Sequence, residues 1–132
     1  LVADHCRRNS LDELVYSQEI FKIPMLWLGG AVRFTGRNIS KYGSQVDIAP
    51  TLLSQLDLEG SFPFGKDLLS GMSNSFAFYT FNEGFAFLTD TSSYIYDHKL
   101  GKPVAESGIN PESTGKLGKA YLQVLYNDYL GR

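Results

Sequence analysis

The apolar and polar positions of the chain fall into three zones. The first opens on the apolar run Leu1-Val2-Ala3, which ends in adjacent Asp4 and His5. This run predicts a short buried strand over Leu1–Asp4. Its carboxyl end would deliver a carboxylate and an imidazole where ligands and metals collect in open α/β sheets. Arg7 to Tyr16 is polar and predicts a loop with one helical turn, since Ser10-x-x-Glu13 has capping-box spacing. Ile23-Pro24-Met25-Leu26-Trp27-Leu28 is continuously apolar and closed by Gly29-Gly30. That pattern predicts a strand buried on both faces, with Pro24 near its start, where a missing donor matters least. Arg33 to Gly43 is basic and polar, has Gly36 and Gly43 as breakers, and reads as a loop.

The second zone holds one helix. Ser44-Gln45-Val46-Asp47 has capping-box spacing with Asp in place of Glu, and Pro50 follows early enough for its missing N–H to cost little. Ile48, Thr51, Leu52, Gln55 and Leu56 keep helical spacing, so the helix is expected over Ser44–Leu56 and the Gly- and Pro-containing stretch Leu58–Gly65 as its exit loop. In the third zone Ser75–Phe81 and Phe85–Thr89 flank Asn82-Glu83-Gly84, the signature of a hairpin with a three-residue turn. Ser93–Asp97 and Lys102–Ala105 add two strands to an antiparallel meander. Asn110-Pro111 starts a last helix as cap and first residue, with Leu117, Ala120, Tyr121, Val124 and Leu125 as its apolar face. Gly115 and Gly118 weaken its first turns, so it is expected to be firm only from about Lys119.

Composition narrows the class. A length of 132 residues suits one domain or part of one. A net charge of −2 gives no electrostatic argument for nucleic acid or an anionic membrane, and no nucleic-acid partner is expected. The longest apolar stretch, Ile23 to Val32, is interrupted by Pro24, Gly29 and Gly30 and falls far short of the roughly 20 residues a span requires. The single Cys6 excludes an internal disulfide. A chain that opens inside a core strand, with no Met or leader before it, reads as the tail of a larger enzyme cut at its metal site.

Four strings then occur in a characteristic order. They are Val2-Ala3-Asp4-His5, Ile23-Pro24-Met25-Leu26, Gln45-Val46-Asp47-Ile48-Ala49-Pro50-Thr51-Leu52-Leu53 and Phe64-Gly65-Lys66-Asp67-Leu68-Leu69. Together they resemble the C-terminal part of the sulfatase domain of the alkaline-phosphatase-like superfamily. The nearest resemblance is to lipoteichoic-acid-synthase-like phosphoglycerol transferases. It covers nearly the whole chain and rests mainly on the Val-Asp-Ile-Ala-Pro-Thr-Leu-Leu string.

The resemblance implies an α/β fold, of which this chain would be the C-terminal portion of the sandwich, with a small antiparallel sheet and a C-terminal helix. Residues 1–72 would hold the metal-site strand, second strand and helix, and 73–132 the meander and last helix. It implies a Thr, Ser or formylglycine nucleophile upstream of this sequence and a covalent intermediate on phosphorus or sulfur. Asp4 and His5 would be ligands of a divalent metal, and the substrate a sulfate or phosphate ester. The parent would be membrane-anchored with its catalytic domain outside the cytoplasm, or periplasmic. Lys22 stands where many relatives carry His, which opens the substrate-side role of that position.

Each candidate has an ordinary reading beside the functional one. Asp4-His5 would merely cap a loop if it stood alone, and both side chains address one ion only if the strand turns at Asp4. Arg7 and Arg8 suit a tetrahedral anion, though solvated loop residues need no function. Cys6 is expected to be buried, His98 exposed in a polar turn, and Asp47 a helix cap and not a catalytic acid. Aromatic residues from Phe76 to Phe87 invite a lipid- or glycan-binding reading, but strand cores are built from the same residues, so packing is expected. A His ligand favours manganese or zinc over calcium, which prefers oxygen shells. The competing class is a non-catalytic α+β interaction module in which Asp4-His5 is incidental. Missing upstream strands would leave an exposed apolar edge, so self-association is expected.

Overall fold

The computed structural model describes residues 1–6, 14–30, 32 and 36–132. They form two compact units, Leu1–Asn74 and Ser75–Arg132. The second is a four-stranded antiparallel sheet with a C-terminal helix, so the chain is of mixed α/β character.

In that unit β1 (Phe76–Phe81), β2 (Gly84–Thr89), β3 (Ser92–Asp97) and β4 (Lys102–Gly108) lie side by side in chain order. Phe81 pairs with Gly84, so the hairpin turn is Asn82-Glu83 and Gly84 already belongs to β2. This corrects the three-residue turn expected from the sequence: the aromatic register of Phe78 on Phe87 is kept only if Gly84 pairs. β4 is an edge strand, and it accommodates Pro103 beside an irregularity opposite Ile95/Tyr96. The turn before it is closed by the Leu100 N–H, which donates to Asp97 Oδ1 at 2.8 Å.

The helix α2 (Pro111–Leu130) runs unbroken through Gly115 and Gly118. Asn110 caps it from the left-handed region, with Pro111 as first residue. The expectation of weak first turns fails because these glycines are where the helix touches the sheet. A Cβ on Gly115 would stand 2.6 Å from the Tyr94 ring, and one on Gly118 2.6 Å from the Phe85 ring. Burial therefore follows Thr114, Gly115 and Gly118, with Tyr121, Leu122 and Leu125 half-buried. Leu117 and Val124, each 55% exposed, and Ala120 are on the outer side.

Beneath α2 the sheet presents Phe76, Phe78, Phe85 and Phe87. Phe76 stacks on Phe87 at 5.2 Å, and Phe78 meets Tyr121 at 4.8 Å. The aromatic hairpin thus packs the core, and Phe85 is fully buried. Burial raises the pKa of the Tyr94 phenol above its ordinary value, and Glu106 adds to the effect.

The first unit has little regular structure. Val2 and Met25 form a single antiparallel bridge, flanked by the Leu26 N–H donating to the Leu1 carbonyl at 2.7 Å. Leu1–Asp4 and Ile23–Leu28 are thus neighbours, as expected, but they are not buried strands: Leu26 is 54% and Leu28 72% exposed. One bridged pair with no third strand beside it covers neither face. Arg7 to Glu13 lie outside the described residues, and with them Arg7, Arg8 and the Ser10–Glu13 capping signal.

α1 (Ile48–Gln55) follows a 3-10 turn over Gln45–Asp47, so the helix expected over Ser44–Leu56 begins with a tighter turn. The capping box is present: the Ser44 N–H donates to Asp47 Oδ2 at 2.8 Å. Gly65 comes so near this turn that a Cβ there would stand 2.6 Å from the Val46 carbonyl oxygen.

Candidate functional site

The site is built on the turn at Asp4, where the chain bends out of the bridge with Met25. The His5 N–H donates to Asp4 Oδ1 at 2.9 Å, and His5 Nε2 lies 3.6 Å from Asp4 Oδ2. His5 Nδ1 is 3.2 Å from the Cys6 carbonyl oxygen. The bend therefore brings to one side two side chains that a regular strand would send to opposite faces. Two donors bound to one ion at about 2.0–2.2 Å and near-tetrahedral angles lie roughly 3.4 Å apart, so the pair needs little adjustment to share one. Both side chains are open to solvent, Asp4 at 90% and His5 at 77%.

Next to the bridge, the Ala3 N–H donates to the Pro24 carbonyl at 3.3 Å, and Lys22 lies two residues before Pro24 on that segment. Lys22 is exposed, so its ammonium is available to an anion at the same end of the bridge. Cys6 is half-buried. His98 is exposed in the turn after β3, in the other unit.

Behind the site, two of the sequence strings are locked together. Asp47 is buried. Its Oδ1 accepts from the Lys66 N–H at 2.9 Å, and its Oδ2 pairs with Lys66 Nζ at 2.7 Å. The Thr51 hydroxyl donates to the Asp47 carbonyl at 2.6 Å and accepts from the Leu68 N–H at 2.9 Å. The Ser54 hydroxyl donates to Asp67 Oδ2 at 2.7 Å. Asp47 is a cap, as its sequence position suggests, and it is also the anchor of the Phe64–Leu69 loop. Its carboxylate has no access to solvent from which to act on a substrate.

Gln45, which the sequence pattern did not single out, connects this lock to the site: its Nε2 donates to the Asp4 carbonyl at 2.8 Å. A contact across 41 positions has no local signature. An open groove of about 870 Å³, lined in part by Pro50, Leu53, Leu58 and Phe62, lies at the other end of α1 and does not include Asp4, His5 or Lys22. Its polar lining of Ser54, Asp57, Glu59 and Ser61 contains no His or Cys, so shape and chemistry do not coincide in it. Among the described residues no three of His, Cys, Asp and Glu gather as a metal shell. No helix among them is long and apolar enough to cross a membrane.

No family model matches this chain, and neither a curated protein nor a solved structure does.

Proposed function

We propose that this chain is the C-terminal portion of a metal-dependent enzyme of the alkaline-phosphatase-like superfamily, acting on a sulfate or phosphate ester outside the cytoplasm. Asp4 and His5 are two of its metal ligands, and Lys22, Arg7 and Arg8 bind its anionic substrate. The observation that carries this reading is the turn at Asp4, which sets a carboxylate oxygen and an imidazole nitrogen 3.6 Å apart. The ordered strings support it, since the Asp47–Lys66 pair makes two of them one structural piece beside that turn. Exposed Leu1, Leu26 and Leu28 suit a strand pair that is flanked by further strands in the complete domain, and they favour self-association of the chain alone.

The donor set of one carboxylate and one imidazole fits manganese or zinc better than calcium. When bound, such an ion supplies positive charge to the attacking and leaving oxygens of the ester. The chain's own contribution is to hold Oδ2 of Asp4 and Nε2 of His5 on one side, with Lys22 exposed on the neighbouring segment to meet an anion. The non-catalytic α+β reading is favoured by one observation, the exposure of both side chains with no third ligand beside them among the described residues.

Manganese alone distinguishes the two, because the chain has only two histidines. In a titration followed by NMR, the His5 ring signals should broaden at lower Mn²⁺ than those of His98, and Asp4→Asn should remove the difference. Binding should be weak, because affinity depends on a full preorganised shell. Equal response of His5 and His98 would leave no metal site at Asp4, and tight stoichiometric binding would contradict a two-ligand assignment.

A further inference from the structure

Asp4 and His5 are joined by one peptide plane, and both of its polar groups are engaged. Its N–H donates to Asp4 Oδ1 at 2.9 Å, and its carbonyl accepts from Gln45 Nε2 at 2.8 Å. The direction of that plane decides where the Asp4 and His5 side chains point, since it is flanked by their two Cα atoms. Little else among the described residues fixes it. Both side chains are open to solvent, and the nearest backbone pairing is the Ala3 N–H to Pro24 carbonyl contact at 3.3 Å. Gln45, by contrast, is held from behind. It opens the 3-10 turn that ends in Asp47, and Asp47 is buried on Lys66.

We propose that Gln45 is a positioning residue for the Asp4–His5 pair, tying the peptide plane of the metal site to the Asp47–Lys66 lock. The inference rests on the reading of Asp4 and His5 as metal ligands. Its role is to donate one hydrogen bond that keeps the carboxylate and the imidazole turned to the same side before an ion arrives. Partners of this kind, acting through a ligand, typically change metal affinity by about 10–100-fold. The bond is exposed, so the lower end applies.

The test uses the full chain with Mn²⁺ as the probe. Two variants remove the donor: Gln45→Ala, and Gln45→Met, which keeps the length and apolar stem of the side chain. Each should require about tenfold more Mn²⁺ to broaden His5. The thermal midpoint read by Trp27 emission should stay that of the wild type, and the His98 response should not change. In the metal-free chain, the His5 amide shift should move in both variants.

If His5 of the wild type responds before His98 but both variants titrate like it, the positioning role is wrong and the metal-site reading stands. If wild-type His5 does not respond first, that reading fails and this inference with it. An unmoved His5 amide in the metal-free variants overturns the positioning role independently of any ion. Loss of fold in Gln45→Ala leaves Gln45→Met as the deciding variant, and loss in both would show that Gln45 supports the fold and does not act on the pair.

Discussion

On the proposed reading of Asp4 and His5 as metal ligands, His5→Ala in an enzyme containing this chain is expected to lower turnover by more than about 100-fold with metal content falling in parallel, because losing a mere supporting partner already costs about 10–100-fold. Asp47→Ala is expected to do the reverse, lowering stability while turnover per folded molecule survives. As a helix cap alone, Asp47 would contribute about 1 kcal/mol. The structure raises that figure. Removing the carboxylate takes away the group that meets the Lys66 ammonium at 2.7 Å, in a site where its side chain is only 13% exposed. It also leaves the Ser44 and Lys66 N–H groups without their acceptor. Breaking a buried pair from one side costs about 3–5 kcal/mol, and the lower end applies here because a lysine stem can carry its charge to nearby water.

Trp27 is the chain's single tryptophan and lies in the same unit as Asp47, so its emission in urea follows that unit without signal from the sheet. Adding Lys66→Met to Asp47→Ala should recover part of the loss, since it removes the half-buried charge that the carboxylate had met. A cost under about 1 kcal/mol for Asp47→Ala would mean that the pair holds nothing beyond the cap. Intact metal and activity in His5→Ala, with turnover destroyed in a well-folded Asp47→Ala, would reverse the assignment of the site.

The second large effect is expected where α2 meets the sheet. Phe85 is fully buried against Gly118, and Phe85→Ala should cost about 3–5 kcal/mol, as aromatic truncations in closed cores do. Gly118→Ala sets two terms against each other. Helix propensity favours Ala by about 1 kcal/mol. The new Cβ would lie 2.6 Å from the Phe85 ring and 2.9 Å from Phe87 Cβ, and overpacking of that kind costs about 1–3 kcal/mol. Overpacking should win, because the ring is also hemmed in by Phe78, at 5.9 Å, and Tyr96, at 5.8 Å between centroids, and cannot retreat freely. In the Phe85→Ala background Gly118→Ala should lose most of its cost, since the clashing ring is gone. Far-UV circular dichroism in urea measures both. Additivity of the two changes would show that they do not share one contact.

The parts of this fold that were legible in the sequence are those set by neighbours a few residues apart. The Asn82-Glu83-Gly84 hairpin signature and the runs around and after it placed the four strands, Asn110-Pro111 placed the start of α2, and Ser44-x-x-Asp47 placed the capping box before α1. Gly115 and Gly118 misled because propensity counts only the helix's own backbone, whereas these positions are chosen by rings on another element. The apolar runs Leu1–Ala3 and Ile23–Leu28 misled in the opposite sense. Apolar character states a demand for burial, and one bridge between two short segments does not meet it. The geometric condition at Asp4, a bend that brings adjacent side chains together, was foreseeable as a condition but not as an outcome. Gln45 and the Lys66 partner of Asp47 were invisible for a simpler reason: both act across long stretches of chain, where spacing carries no information.

The order of the strands has a kinetic consequence. β1 to β4 pair only with their neighbours in the chain, so each strand pairing within residues 75–132 closes a short loop. The first unit depends on contacts spanning 19, 25 and 41 positions, each of which must be closed before it stabilises anything. Chains with mainly local pairings fold fastest at comparable stability. On dilution from urea, the ellipticity of the sheet should therefore recover before the emission of Trp27, and the four-stranded meander would be the first part of this chain to acquire its native shape.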